Sequence, residues 1–269
     1  AVFNYLICFH KPFYILLIID YIILNMTKLL KFSIFFSIIF TGLINFLNAE
    51  PFESTYQPLP SKNILIKNAN IYDGEGNELL QTDLLIKDRK IEAIGKDLPV
   101  TNDFEVIDAS GKWVTPGIID IHSHMGVYPA PGVRTSSDGN EATSPVTADV
   151  WAEHSMWVQD PQYTLALSGG VTAFHVLPGS ANLIGGRGVT VKNLQRNTIN
   201  SMKFPDAPHS LKMACGENPK RVYGNRQQAP STRMGNIAGY RKAWIEAEAY
   251  LNRLNEYESK SDEAKEMGY

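Results

Sequence analysis

The stretch Thr115-Pro116-Gly117-Ile118-Ile119-Asp120-Ile121-His122-Ser123-His124 decides how this chain is read. A Pro-Gly pair interrupts whatever precedes it, and the isoleucine-rich run that follows predicts a short buried strand. Successive strand side chains alternate faces, so His122 and His124 are expected to point one way, with Asp120 and Ile118 beneath them. Ile119, Ile121 and Ser123 are expected on the other face, under helices. Two neutral imidazoles side by side at a strand end can hold zinc at about 2.0–2.1 Å. The rival reading of a His-Ser-His triplet alone is a polar strand end; the Pro-Gly, the apolar run and the acid before it count against that.

Working outward, the two sides of Pro116 differ in texture. From Asn63 to Val114 the apolar runs are short and separated by turns: Ile64 to Asn68, Asn70 to Gly74, Asp83 to Lys87 and Lys90 to Gly95. Asp73-Gly74-Glu75-Gly76-Asn77 and Lys87-Asp88-Arg89-Lys90 supply the residue types that tolerate positive φ in hairpin connections. Residues 63–114 are therefore expected to form a small β-sandwich-like domain after a linker over 50–62. Beyond Pro116, strands alternate with helices, the mark of parallel βα units. Ile118 to His124 is the first strand. A helix follows, with Asp160 as N-cap, Pro161 in its first turn and Gly169-Gly170 as its stop. Val171 to Leu177 is the second strand, Val189 to Lys192 and Leu211 to Cys215 are further ones, and Ile237 to Tyr257 repeats apolar residues at helical spacing. The fold class is α/β: an incomplete TIM-like (β/α) barrel over 115–269. A full barrel takes roughly 250 residues, so a truncated barrel is expected.

The N-terminal segment reads as something outside the fold. Met26 is followed by Thr27-Lys28-Leu29-Leu30-Lys31 and by an uncharged apolar run, Phe32 to Phe46, ending at Leu47-Asn48-Ala49. That is the layout of a signal peptide over 26–49, with cleavage expected after Ala49 and an uncleaved membrane anchor as the alternative. Residues 1–25 are expected to be translation from upstream of Met26. The location expected is exported, periplasmic. A formal net charge of -3 gives no basic field for nucleic acid, and Cys8 and Cys215 allow no cysteine-rich framework.

These residues resemble the amidohydrolase superfamily, whose members open with a small β-sandwich and carry Asp-x-His-x-His on the first barrel strand. The resemblance covers the β segment from Ile64, the approach Val106 to Gly117, and Leu167 to Phe174, and is strongest to the exported imidazolonepropionase-related and prolidase-like group. It implies a metal-dependent hydrolase of C–N bonds other than ordinary peptide bonds, in which metal-activated water attacks an amide, cyclic amide or dipeptide-like small molecule. Xaa-Pro dipeptidase-like or deaminase chemistry on the same fold is the alternative, and a non-catalytic periplasmic metal-binding module is another. The resemblance makes His122 and His124 ligands of one or two divalent ions, zinc foremost, with Asp120 behind them. It implies a carboxylated bridging lysine, for which Lys212 is the candidate and Glu217 and Lys192 are rivals. Its general-base aspartate and further histidines are expected beyond Tyr269, so the chain as it stands is expected to be inactive.

Weaker signals remain. Met125 to Gln159 is a long connection where a barrel would build its substrate pocket, with Tyr128, Trp151, His154 and Trp157 as candidate lining. Arg187, in the glycine-rich run Pro178 to Gly188, is a candidate contact for an anionic substrate group. His175 is expected to be a hydrogen-bonded core histidine.

Overall fold

The computed structural model describes residues 52–260. The expected signal segment, the residues before it and the last residues of the chain lie outside the described residues.

Strands β1 (Asn63–Tyr72), β2 (Glu78–Lys87), β3 (Lys90–Gly95), β4 (Phe104–Asp108) and β5 (Trp113–Val114) form one sheet, ordered β3-β2-β1-β4 with β5 also on β1. The hairpin chemistry works as the sequence requires. Asp73 Oδ1 accepts from the N–H groups of Glu75 (2.8 Å) and Asn77 (3.1 Å), and Asp88 and Arg89 take φ of 49° and 67° between β2 and β3. Two strands expected over 64–74 are one, because Asn68, at φ 57°, makes an irregularity in β1 without breaking it. The buried carboxylate of Asp83 accepts the Asn68 N–H at 3.0 Å and the Leu98 N–H at 3.1 Å. Ala69, Ile71, Leu84 and Ala109 form the core of this part. Tyr72, Leu80, Ile91 and Trp113 are exposed. Residues 63–114 supply a single sheet, and the second layer that a β-sandwich needs is not among them.

A second sheet, β6-β7-β8-β9, comprises β6 (Ile118–Ser123), β7 (Val171–Val176), β8 (Ile184–Lys192) and β9 (Ser210–Met213). Helix α1 (Gln162–Ser168) lies between β6 and β7 in the chain and packs on β7, and those two strands run parallel, as a βα unit should. The uniformly parallel expectation fails at β8, which is antiparallel to both β7 and β9. A parallel return needs a crossover of a dozen or more residues, and the connection 177–183 is too short for one. β8 also starts earlier than its glycines suggest. Gly186 sits at φ 111°, where a Cβ would lie 2.5 Å from Val150 Cγ2 and 2.6 Å from Val150 O, so it lets a neighbouring backbone approach. Helices α2 (Glu217–Gly224) and α3 (Arg233–Glu258) follow β9; α2 was not legible in the sequence.

The strand faces are chemically distinct. Phe174 and Val176 of β7 pair with Val191 and Val189 of β8. With Tyr163 of α1, Val127, Ala152 and Met202 they form the buried core, each large apolar side chain contributing about 1.5–3 kcal/mol. Tyr163 stacks on Phe174 at 5.5 Å. The opposite face carries His175, Thr190, Ser210 and Lys212. On β6, Ile119 and Ile121 are 64% and 79% exposed, so the helical cover expected for them is not among the described residues. No helix of the described residues is long and apolar enough to cross a membrane.

Candidate metal centre

His122 on β6 and Lys212 on β9 stand at opposite edges of the four-stranded sheet, yet Lys212 Nζ lies 3.3 Å from His122 Nε2. Strand spacing of 4.7–4.9 Å puts the outer strands of such a sheet about 14 Å apart. The side chains meet because both are long and reach toward each other over the sheet. Lys212 is 8% exposed and, among the described residues, has no carboxylate partner. Burial pushes its amine below the usual lysine range. The positive charge of Lys212, with burial and the neighbouring His124, holds the His122 imidazole below its ordinary value; Asp120 opposes this.

His124 completes the group. Its ring stands edge-on to that of His122 at 5.3 Å, and its Nδ1 is 2.8 Å from the carbonyl oxygen of Leu177. A carbonyl only accepts, so Nδ1 carries the proton and Nε2 keeps its lone pair for a metal. Asp120, expected behind the histidines, bonds the backbone of one of them. An irregularity in β6 pairing between Asp120 and Ser123 breaks the simple alternation, and Asp120 Oδ1 accepts the His122 backbone N–H at 3.0 Å, fixing the backbone of that residue. Tyr128 packs edge-on to His124 at 5.7 Å, and Asn140 Nδ2 donates to its hydroxyl; burial raises the phenol.

The other candidates are placed elsewhere. Glu217, exposed in the first turn of α2, pairs with Arg221 at 2.8 Å. Lys192 lies over the rings of Phe204 (4.2 Å) and Tyr56 (4.9 Å). Arg187 pairs in register with Leu211, one residue out of step with the Gly186–Lys212 pair, so the pleat turns it away from Lys212. Its guanidinium lies 4.7 Å over the Trp151 ring. His209 Nδ1 is bonded to Gly188 O at 2.8 Å and its ring meets Trp151. A cleft of about 460 Å³ is lined by Val127, Asp138, Asn140, Asp149, Trp151 and His154 among others. The long connection after β6 does form a pocket, but His122, His124 and Lys212 are not in its lining.

His175 is hydrogen-bonded, as expected, but sequence reasoning missed its partners Thr190 and Ser210. His175 is half-buried, with Nδ1 2.9 Å from Thr190 Oγ1 and Nε2 2.6 Å from Ser210 Oγ. Burial, reinforced by His209 and His122, lowers its pKa. The signal was present in the two-residue spacing of Ser210 and Lys212, which puts both on one face of β9.

Among the described residues no group of three or more His, Cys, Asp or Glu side chains comes together as a metal site. The donor set here is two imidazoles and one lysine, and it fits a divalent ion once the lysine carries a carboxylate. Desolvation lowers the pKa of the buried amine and so favours the unprotonated form that addition to CO₂ needs, and the adduct replaces a costly buried cation by anionic oxygens.

No family model matches the chain. An amidohydrolase of Hapsidospora irregularis is 34% identical over 233 residues, 77% of this chain and 23% of that protein. A dihydroorotase of Lactobacillus helveticus is 46% identical over 74 residues, 28% of this chain and 16% of the relative. The crystal structure of an amidohydrolase from Thermotoga maritima superposes with a TM-score of 0.68 at 39% identity, covering 73% of this chain and 50% of the other. The chain thus spans 23% and 16% of the length of these two curated relatives.

Proposed function

This chain belongs to the amidohydrolase superfamily, and from that premise we propose that the protein is a metal-dependent hydrolase of C–N bonds, with a cyclic amide as the favoured substrate. The observation that carries the reading is the convergence of His122, His124 and Lys212 from the two outer strands of one sheet. The similarity to a dihydroorotase favours a ring amide over a dipeptide or a deaminated base. The finer placement, in the imidazolonepropionase-related and prolidase-like group, is part of the same proposal.

His122 and His124 would hold the ion through imidazole nitrogens, and carboxylated Lys212 through its added oxygens. A bound divalent ion, zinc by preference, supplies a water of lowered pKa and polarises the substrate carbonyl. The Leu177 carbonyl sets the His124 tautomer, and Asp120 fixes the backbone that presents His122. Tyr128, beside His124, is the residue nearest to hand for orienting a substrate. The proton taken from the attacking water needs a base other than these ligands. Export is likewise our proposal; N-terminal sequencing of the secreted protein is expected to begin at Glu50, and a start at Met26 would mean an anchor.

The test is a substrate panel on the metal-loaded full-length protein. Ring opening of a cyclic amide, with slower or no cleavage of dipeptides and no ammonia release from aminated bases, is the expected result. Dipeptide cleavage or deamination without ring opening would contradict it.

A further inference from the structure

Lys212 is carried by a short strand with one partner. β9 spans Ser210–Met213 and pairs only with β8 among the described strands, with a register irregularity between Ile184 and Gly186. Four residues on an edge with an interrupted ladder fix a register weakly. Something further has to hold the lysine against His122 on the far side of the sheet.

The fastening runs across β8. His175 pairs in register with Thr190, and Gly188 with Ser210, so β7 and β9 flank β8 and their side chains would ordinarily be separated by one from β8. At Gly188 no side chain intervenes. A Cβ there would lie 2.6 Å from Ser210 Oγ, 2.7 Å from Leu177 Cδ2 and 2.8 Å from His175 Nε2. Through this gap His175 Nε2 meets Ser210 Oγ at 2.6 Å, while Nδ1 is anchored on Thr190 Oγ1 at 2.9 Å. A neutral imidazole donates once and accepts once, and each hydroxyl can do either, so the bridge is satisfied in either tautomer. Gly188 O also lies 2.8 Å from His209 Nδ1.

We propose that His175, with Gly188 and Ser210, is a positioning device that ties β9 to β7 and thereby sets Lys212 against His122, so that metal affinity depends on residues that touch no metal. The proposal rests on the reading of His122, His124 and Lys212 as ligands. Removing hydrogen-bonded groups that orient ligands costs about 10–100-fold in metal affinity, and a bridge that acts through the strand belongs at the low end of that range.

The experiment titrates Co²⁺ into the full-length protein and follows its visible absorption, comparing the native chain with Ser210→Ala, Gly188→Ala and the His122→Ala, His124→Ala double variant. Ser210→Ala removes one oxygen, and Gly188→Ala wedges the bridge apart while deleting no polar group. Both are expected to weaken Co²⁺ binding about tenfold and to change the Co²⁺ spectrum, while circular dichroism stays native. Incorporation of ¹³C-bicarbonate as a lysine carbamate, followed by NMR, is expected to fall in parallel. Native affinity and spectrum in both single variants, with binding lost in the double variant, overturns the positioning role and leaves the metal site standing. Native Co²⁺ binding in the double variant overturns the metal site and the proposal with it. Should Gly188→Ala lose its fold, Ser210→Ala decides alone.

Discussion

Asp160 offers a sharp test of how the segment after β6 is held. The carboxylate is 2% exposed and receives four donors. Oδ1 accepts from the N–H groups of Gln162 (3.0 Å) and Ala130 (3.2 Å); Oδ2 accepts from Gly126 N–H (2.8 Å) and Gln162 Nε2 (2.9 Å). It thus links the chain after His124, including Tyr128, to the start of α1. Asp160→Asn is nearly isosteric, but an amide group must turn its NH₂ toward one of these donor pairs. Facing it toward Oδ1's partners leaves two fixed backbone N–H groups unmet. Facing it toward Oδ2's partners leaves the Gly126 N–H unmet, while the Gln162 side chain can swivel. The second arrangement is cheaper. It costs about 1–3 kcal/mol for one buried unsatisfied donor, and roughly 1 kcal/mol more as the remaining bonds lose their ionic character. The expected destabilisation is about 2–4 kcal/mol, measured by urea unfolding with an unchanged m-value. A loss below about 1 kcal/mol would show that this carboxylate does not hold the segment.

Lys203 Nζ and Glu153 Oε2 form a buried ion pair at 2.6 Å. Lys203→Met, which leaves a buried carboxylate without its cation, is expected to cost about 3–5 kcal/mol; the Glu153→Met, Lys203→Met double variant is expected to cost less than Lys203→Met alone, and additive costs would refute the coupling. His175 predicts a pH dependence. Its folded-state pKa lies below the ordinary 6.5 through burial and the nearby His209 and His122, while Thr190 and Ser210 facing it are neutral. The unfolded chain therefore takes up more protons as pH falls below 6.5, and the His175 contribution to stability, full above that pH, declines beneath it. His175→Gln should flatten part of the stability slope between about pH 7 and 5; an unchanged slope would place the titration elsewhere.

The parts of the fold set by local chemistry were legible before the structure. The hairpin turns at Asp73 to Asn77 and at Asp88-Arg89 follow from residues that tolerate positive φ, and β6, α1 and β7 follow from apolar runs bounded by Pro and Gly. What failed depends on partners distant in sequence. Gly186 and Gly188 lie in a glycine-rich run whose composition favours turns, yet they are strand residues required by the approach of the Val150 backbone and of the His175–Ser210 bridge. The antiparallel direction of β8 was hidden because apolar alternation carries no sense of direction. The side of the sheet that Arg187 takes was not legible either, because one residue of register, which only pairing with β9 reveals, reverses a side chain. That His122 and His124 lie close together could be read from their two-residue spacing, but the approach of Lys212 depends on which strands the assembled sheet puts at its edges.

The central claim is that His122 and His124 hold a divalent metal, and the most direct measurement is the metal content of the purified full-length protein and of its His122→Ala, His124→Ala variant by elemental mass spectrometry. The account predicts one or two divalent ions per native chain and a severalfold lower content in the variant. Equal content in the two proteins would contradict it.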